Sequence, residues 1–333
     1  MSNIDDNRRR AGVSEVSMAT TTISQSQRKA QDRRVAIKEA KRNIWAYVFI
    51  SPFYLLYAVF GLFPLLYGLW LSFHKWDGIS QMEWAGLANY AKLMTDDIWW
   101  YSIYNTIWLF VAATIPQLIL ALILAFIINS SYIKGKDFFR AAFFAPQVAS
   151  TVAVSLIFIS LFGQRYGMVN YVLGMVGIER VDWLGSAAWI KPAIALVTVW
   201  QWTGYSMIIF LAGLQSINQE LYEAARVDGA RTRDIFWNIT LPLLRPVIVF
   251  QVILSIIGAM QNFDIPVMLA GGTQSSAPGG TDRAGLTAAV LLYWTAFKYT
   301  QFGYGSAMSF VLFFLIVVFS FTYNKFQGRN LTE

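Results

Sequence analysis

The chain has 333 residues, 56 % of them apolar and only 14 % charged, with a net charge of +7. An ordinary soluble domain carries about a quarter charged residues, so that class is excluded. The absence of cysteine excludes disulfides, thiol catalysis and cysteine-based metal sites. The lone histidine, His74, beside Lys75 and Trp76, supports neither a metal site nor a histidine triad and reads as an interfacial polar residue.

Residues 1–43 are polar and hold ten of the 26 Lys and Arg residues, with no apolar core of the kind a secretory signal needs. They read as a basic tail on the cytoplasmic side, partly disordered over 1–27, with helix-forming composition over Arg28–Asn43. Six apolar spans follow, each long enough for a bilayer core that takes roughly 20 helical residues to cross. They are Ile44–Phe73, Tyr104–Ile128, Ala141–Phe162, Ala193–Leu214, Val247–Ala270 and Gly305–Tyr323. Pro52 and Pro64 predict a bent or tilted first span. Ala284–Lys298 is a weaker apolar stretch, too short to cross, and reads as an interfacial or re-entrant helix. The fold class is therefore an all-α integral membrane protein: a six-helix domain over 44–327 and a short C-terminus at 328–333.

Lysine and arginine in the loops set the orientation. With the N-terminus inside, 19 fall on the cytoplasmic side and seven outside, which places both termini in the cytoplasm. The positive charge is thus a topology signal and implies no nucleic-acid partner. The outer loops carry Trp76, Trp84, Trp99, Trp100, Trp183 and Trp189, which read as the aromatic belt at the lipid headgroups, with sugar stacking as the competing reading. Asp77, Glu83, Asp96 and Asp97 read as solvated loop charge.

Between the fourth and fifth spans lies a loop, residues 215–246, that is too long for a simple connector. It reads as helix, stop, helix. Ser216 with Gln219, or Asn218 alone, caps the first helix, and Gly229 ends it in a left-handed conformation. Thr232 caps the second and Pro242 closes it. The order Glu223-Ala224-Ala225, three residues, Gly229, nine residues, Ile239-Thr240-Leu241-Pro242 resembles the signature loop of permease subunits in binding-protein-dependent ABC importers. That resemblance implies a coupling helix docking on an ATP-hydrolysing subunit. Glu223, Ala224, Ala225, Asp228 and Gly229 would form the docking surface, supported by Ile239, Leu241 and Pro242. Trp84-Ala-Gly-Leu-Ala-Asn89-Tyr90, Gly167-Met-Val-Asn170, Asp182-Trp183-Leu184 and Phe210-Leu-Ala-Gly-Leu-Gln215 are similar to the carbohydrate branch of that family, over roughly residues 44–327.

The resemblance implies a type I importer fold in a bacterial or archaeal plasma membrane. It also implies a paralogous second permease, an ATPase dimer using ATP and magnesium, an external solute-binding protein and a sugar substrate, all in a setting of membrane lipid. This chain has no phosphate-binding loop, since Gly135-Lys136 precedes Asp137 and lacks the earlier glycine. It therefore reads as a transport subunit, not an enzyme, with no cofactor of its own.

Polar and small residues recur at helical spacing near the middle of two spans: Thr198, Gln201, Trp202 and Tyr205 on the fourth, Gln251, Ser255, Gly258 and Asn262 on the fifth. Two readings stand for them: a hydrated solute path, or packing between helices. Asp264, the one acid well inside a span, either meets a hydroxyl or ion or caps a broken helix. An importer for a different solute (glycerol phosphate, peptide or amino acid) is the nearest alternative. An ion-coupled secondary transporter leaves the loop unexplained and would favour internal repeats, which are not evident.

Overall fold

The structure, a computed structural model, describes residues 43–130, 133–272 and 277–328. The expected tail over residues 1–43 and the C-terminus at 328–333 lie almost wholly outside the described residues. Among the described residues the regular structure is helical except for one two-residue antiparallel pair, β1 (His74–Lys75) with β2 (Glu83–Trp84). Five helical stretches are long and apolar enough to cross a membrane: α1 (Ile44–Leu71), α3 (Asp97–Asn129), α7 (Ile190–Gln215), the path Thr232–Leu269 and the last helix. A short helix, α2 (Ala88–Met94), precedes α3. The chain divides within α1 into two compact units, Met1–Tyr67 and Gly68–Glu333.

The third of the six expected spans exists only as a bent pair. Ala141–Phe162 was expected to be one helix, but α4 (Lys136–Val148) and α5 (Thr151–Leu161) meet at 92°. Ala149 and Ser150 between them have extended backbone, with ψ of 144° and 129°. Serine and threonine compete for backbone hydrogen bonds in helix interiors and favour helix starts, so Ser150-Thr151 begins a new helix. The 11 residues of α5 rise about 16 Å, roughly half of the hydrocarbon core.

Proline shapes three of the spans in the same way. Of the four π turns among the described residues, three (Ala58–Leu62, Phe110–Thr114 and Phe236–Thr240) end two residues before a proline, Pro64, Pro116 and Pro242, and the fourth, Trp294–Lys298, does not. A helical proline lacks its N–H and its ring strikes the carbonyl four residues back. Those carbonyls belong to Phe60, Ala112 and Asn238, the central residue of each turn, where the helix is widened. Pro52 and Pro246 are accommodated without such a turn. Pro242 therefore does not close a helix, contrary to the expectation from sequence. Thr232–Ile235, the π turn Phe236–Thr240 and Leu241–Met260 run on as one helix, α9.

The second unit packs around α7. Ala121 and Ala125 of α3, one turn apart and fully buried, let that helix lie against Met207, Phe210, Leu211 and Leu214. At Gly204 the backbone of α4 crosses so closely that a Cβ would overlap the Phe143 carbonyl. At Gly213 a Cβ would lie 2.7 Å from Leu244 and 2.9 Å from Val247 of α9. Beyond α9, Gln261–Phe263 break the helix before α10 (Asp264–Leu269), so the expected fifth span is not continuous. The stretch read as interfacial or re-entrant is α11 (Ala288–Lys298), with Ala288, Val290, Leu291 and Trp294 buried in the core. It packs beside α12 (Phe302–Gly328).

The motifs that carried the family resemblance outside the loop are internal staples. Asn89 donates to the carbonyls of Ser72 and His74, both at 2.9 Å, and the Tyr90 and Ser72 hydroxyls lie 2.6 Å apart. Asn170, on α6 (Met168–Met175), donates to Val181 O at 2.8 Å and accepts from Val181 N and Trp183 Nε1, both at 3.1 Å. Trp183 thus has a structural partner, and Trp99 is wholly buried rather than part of a belt. Two of the acids read as solvated loop charge also have structural roles. Asp96 caps α3 and accepts from the Tyr304 hydroxyl at 2.6 Å. Asp77 accepts from the Ile79 and Ser80 amides and the Ser80 hydroxyl, which pull its pKa down to about 2.

Candidate functional site

Two sites are built on this frame. The first is the hairpin after α7. Its first helix, α8 (Gln219–Val227), begins at Asn218, whose side-chain oxygen accepts from the Glu220 amide at 3.0 Å. It ends as the sequence predicts. Gly229 has φ of +79°, its N–H bonds to Arg226 O at 3.1 Å, and the Ala230 N–H bonds to Ala225 O at 2.9 Å. That pair of bonds is the Schellman closure. No atom lies within 4 Å of the position a Gly229 Cβ would take, so glycine is required by backbone conformation and not by space. The second helix is capped at Arg231, with Asp234 accepting from the Arg231 amide at 3.3 Å, so Thr232 is not the cap. Thr240 and Tyr222 hydroxyls, 3.3 Å apart, tie α8 to the π turn of α9.

No residue of α8 is buried. Glu223, Ala224, Asp228 and Gly229 are exposed and Ala225 is half-buried. Leu221 and Val227 are exposed too, Val227 to 88 %, leaving an apolar edge beside the acids. Ile239 and Leu241 are half-buried on the π turn and its continuation, and Pro242 is exposed.

The second site is a cavity of about 360 Å³ between α3, α5, α7, α9 and the helix break. Of the residues read as a solute path, Thr198, Trp202, Tyr205, Ser255, Gly258, Asn262 and Asp264 all line it. Gln201 does not. It sits about 60° round the helix from Thr198, is 2 % exposed, and donates to Thr151 Oγ1 at 3.3 Å, so it stands behind the wall. Trp202 and Tyr205 meet edge to face, with ring centroids 6.0 Å apart. Asn262 lies in the helix break, its carbonyl accepting from the Thr287 hydroxyl at 2.8 Å. Asp264 opens α10 but makes no cap hydrogen bond there; it is exposed on the cavity.

Sequence reasoning missed the wall supplied by α3. Thr114 and Gln117 line the cavity, and Gln117 donates to Ser206 Oγ at 2.6 Å and to Trp202 O at 3.1 Å. Gln251 donates to the same hydroxyl at 2.6 Å, so two amides from two helices converge on a third. A glutamine in an otherwise apolar span was the available signal for Gln117. The buried Oε1 atoms of Gln201 and Gln251 have no hydrogen-bond partner among the described residues. An unpaired buried acceptor costs about 1–3 kcal/mol, which water or a solute hydroxyl relieves. Among the described residues no group of acids and histidines could hold a metal ion.

Comparison with known proteins gives this geometry a context. The chain is 36 % identical over 282 residues to the lactose transport system permease protein LacF of Rhizobium radiobacter, covering 84 % of this chain and 92 % of that one. It is 33 % identical over 293 residues to the trehalose/maltose transport system permease protein MalF of Thermococcus litoralis, covering 88 % and 95 %. A solved bacterial ABC transporter involved in import of the acidic polysaccharide alginate shares the fold, with a TM-score of 0.76 at 23 % identity, over 88 % of this chain and 98 % of that one. Residues 99–330 match the family of binding-protein-dependent transport system inner membrane components, and the chain, a multi-pass membrane protein, belongs to that family.

Proposed function

We propose that this chain forms half of a translocation path for a neutral sugar or short oligosaccharide, within an ATP-driven importer. The carrying observation is the cavity, which sets hydrogen-bonding groups (Ser255, Asn262, Gln251) beside the rings of Trp202 and Tyr205 in the middle of membrane-spanning helices. Sugars need both: partners for hydroxyls and flat apolar surfaces for ring faces. Asp264, an exposed carboxylate with no ion pair among the described residues, adds a negative charge that disfavours anionic solutes over neutral ones. Sugars named for the related permeases support the same reading.

The rest of the machine follows from the hairpin. Its exposed helix, closed by Gly229, is the docking surface for an ATPase subunit on the cytoplasmic side, the side on which both termini lie. A second, paralogous permease completes the path, and an external binding protein delivers the solute. ATP and magnesium belong to the ATPase. The test is reconstitution of this chain with the second permease, ATPase and binding protein encoded beside it, followed by uptake of a panel of labelled sugars. ATP-dependent uptake of neutral sugars is expected. Uptake of a charged amino acid or peptide in their place would overturn the substrate reading, and transport by this chain alone would overturn the assembly.

A further inference from the structure

Beside the hairpin, on a face the transport path does not use, lies a second concavity. Ile119, Leu122, Phe126 and Ile127 of α3 and Phe236 and Trp237 of α9 enclose about 490 Å³ with almost no polar surface. Its wall on α3 extends from residue 119 to 127, about 12 Å of helix, close to the depth of one leaflet of a core about 30 Å thick. The apolar wall is open to its surroundings, with Ile119 54 % and Trp237 56 % exposed. At the hairpin end the lining turns polar at Thr232 and Arg233. Arg233 is exposed and has no ion pair or side-chain hydrogen bond among the described residues.

We propose that this groove holds one acyl chain of an anionic phospholipid of the inner leaflet, with Arg233 on its phosphate. The inference rests on the orientation proposed above, which puts the hairpin at the cytoplasmic surface. A concave wall one leaflet long takes a hydrocarbon chain, and a guanidinium at its mouth selects a negative headgroup with two parallel hydrogen bonds to phosphate. The lipid touches both α3 and the π turn near the start of α9, so it would steady the segment through which the hairpin meets the membrane domain.

The experiment uses the full chain in its assembled importer, in nanodiscs carrying either a diazirine-bearing phosphatidylglycerol or the matching phosphatidylcholine, with cross-links mapped by peptide mass spectrometry. The phosphatidylglycerol probe should label peptides spanning residues 119–127 and 232–241 above all others. Arg233→Gln should cut that labelling about fivefold, the worth of one basic residue at an anionic surface, and Arg233→Lys should retain most of it. Ile123→Trp, which fills the groove and leaves the charge, should abolish it. Equal labelling by both lipids, or labelling spread evenly over the spans, would reduce the groove to ordinary lipid contact and overturn the proposal. Cross-links joining these peptides to the second permease would overturn it as well, by showing a protein in the groove. Labelling is independent of uptake, so a chain that binds the lipid but moves no sugar would refute the transport reading and leave this one standing.

Discussion

Two helical glycines offer one chemical change with opposite expected results. Gly204→Ala places a methyl group on the backbone carbonyl of Phe143, where α4 crosses α7, and 3.0 Å from the Phe144 nitrogen. Backbone inside a helix cannot rotate aside as a side chain can. Overpacking costs about 1–3 kcal/mol, and a clash with backbone belongs at the top of that range. Alanine returns about 1 kcal/mol of helix propensity, leaving a net loss of about 2 kcal/mol. Gly258→Ala meets nothing within 4 Å, because Gly258 faces the cavity; it should be neutral or gain up to about 1 kcal/mol. Thermal unfolding of the detergent-purified proteins should therefore separate the two, with Gly204→Ala lowered and Gly258→Ala at or above wild type. Gly258→Phe extends the contrast, since a ring in a space of about 360 Å³ should block uptake while the protein stays as stable as wild type. Wild-type stability for Gly204→Ala would show that α4 does not cross α7 there. Wild-type uptake by Gly258→Phe would remove the cavity from the path.

Tyr205→Ala should abolish sugar uptake while Tyr205→Phe, losing one hydrogen bond worth about 0.5–1.5 kcal/mol, should reduce it selectively across a sugar panel; parallel losses in stability and in uptake of every sugar would make Tyr205 a packing residue. Gly229→Ala should strain the Schellman closure by about 1 kcal/mol and weaken ATPase stimulation, and Glu223→Lys should do so by charge with the hairpin intact. Circular dichroism and ATPase assays together check that pair, and full stimulation in both would mean the docking face lies elsewhere. Asn170→Leu leaves the Val181 amide and the Trp183 indole without their acceptor, at a cost of about 1–3 kcal/mol for each buried group left unpaired, so the segment 163–184 should become protease-sensitive at temperatures the wild type tolerates.

Much of this architecture was legible because its causes are local. The spans follow from hydropathy, and the hairpin's end follows from Gly229, which a left-handed residue requires. The two stripes at helical spacing reached the cavity because α7 is regular between Thr198 and Tyr205, so angular position could be counted. Counting also misplaced Gln201, since periodicity cannot tell a residue facing a void from one 60° away facing Thr151. Proline was the hardest signal to interpret. Pro242 read as a stop, yet a widened turn two residues earlier absorbed its ring and carried the helix through. Whether a proline ends a helix depends on whether neighbours hold the chain on both sides, which is a tertiary matter. Gly204 was invisible for the same reason, and Gln117 showed only its polarity in an apolar span: the importance of both comes from helices distant in sequence.

The unbroken course of α9 from the hairpin to the cavity has a mechanical consequence. Leu244 and Val247 press against Gly213, between the hairpin end and the cavity end of that helix. From Thr240 to Leu244 the helix rises about 6 Å, and from Leu244 to Gly258 about 21 Å. Pivoted there, α9 is a lever with its short arm tied to α8 through Tyr222 and its long arm carrying Ser255 and Gly258. A rigid helix turning there would enlarge a small displacement at the hairpin about three- to fourfold at Gly258, in the opposite direction. The break at Gln261–Phe263 would let α10 stay in place, so that the cavity could change width while the far end of the bundle kept its packing.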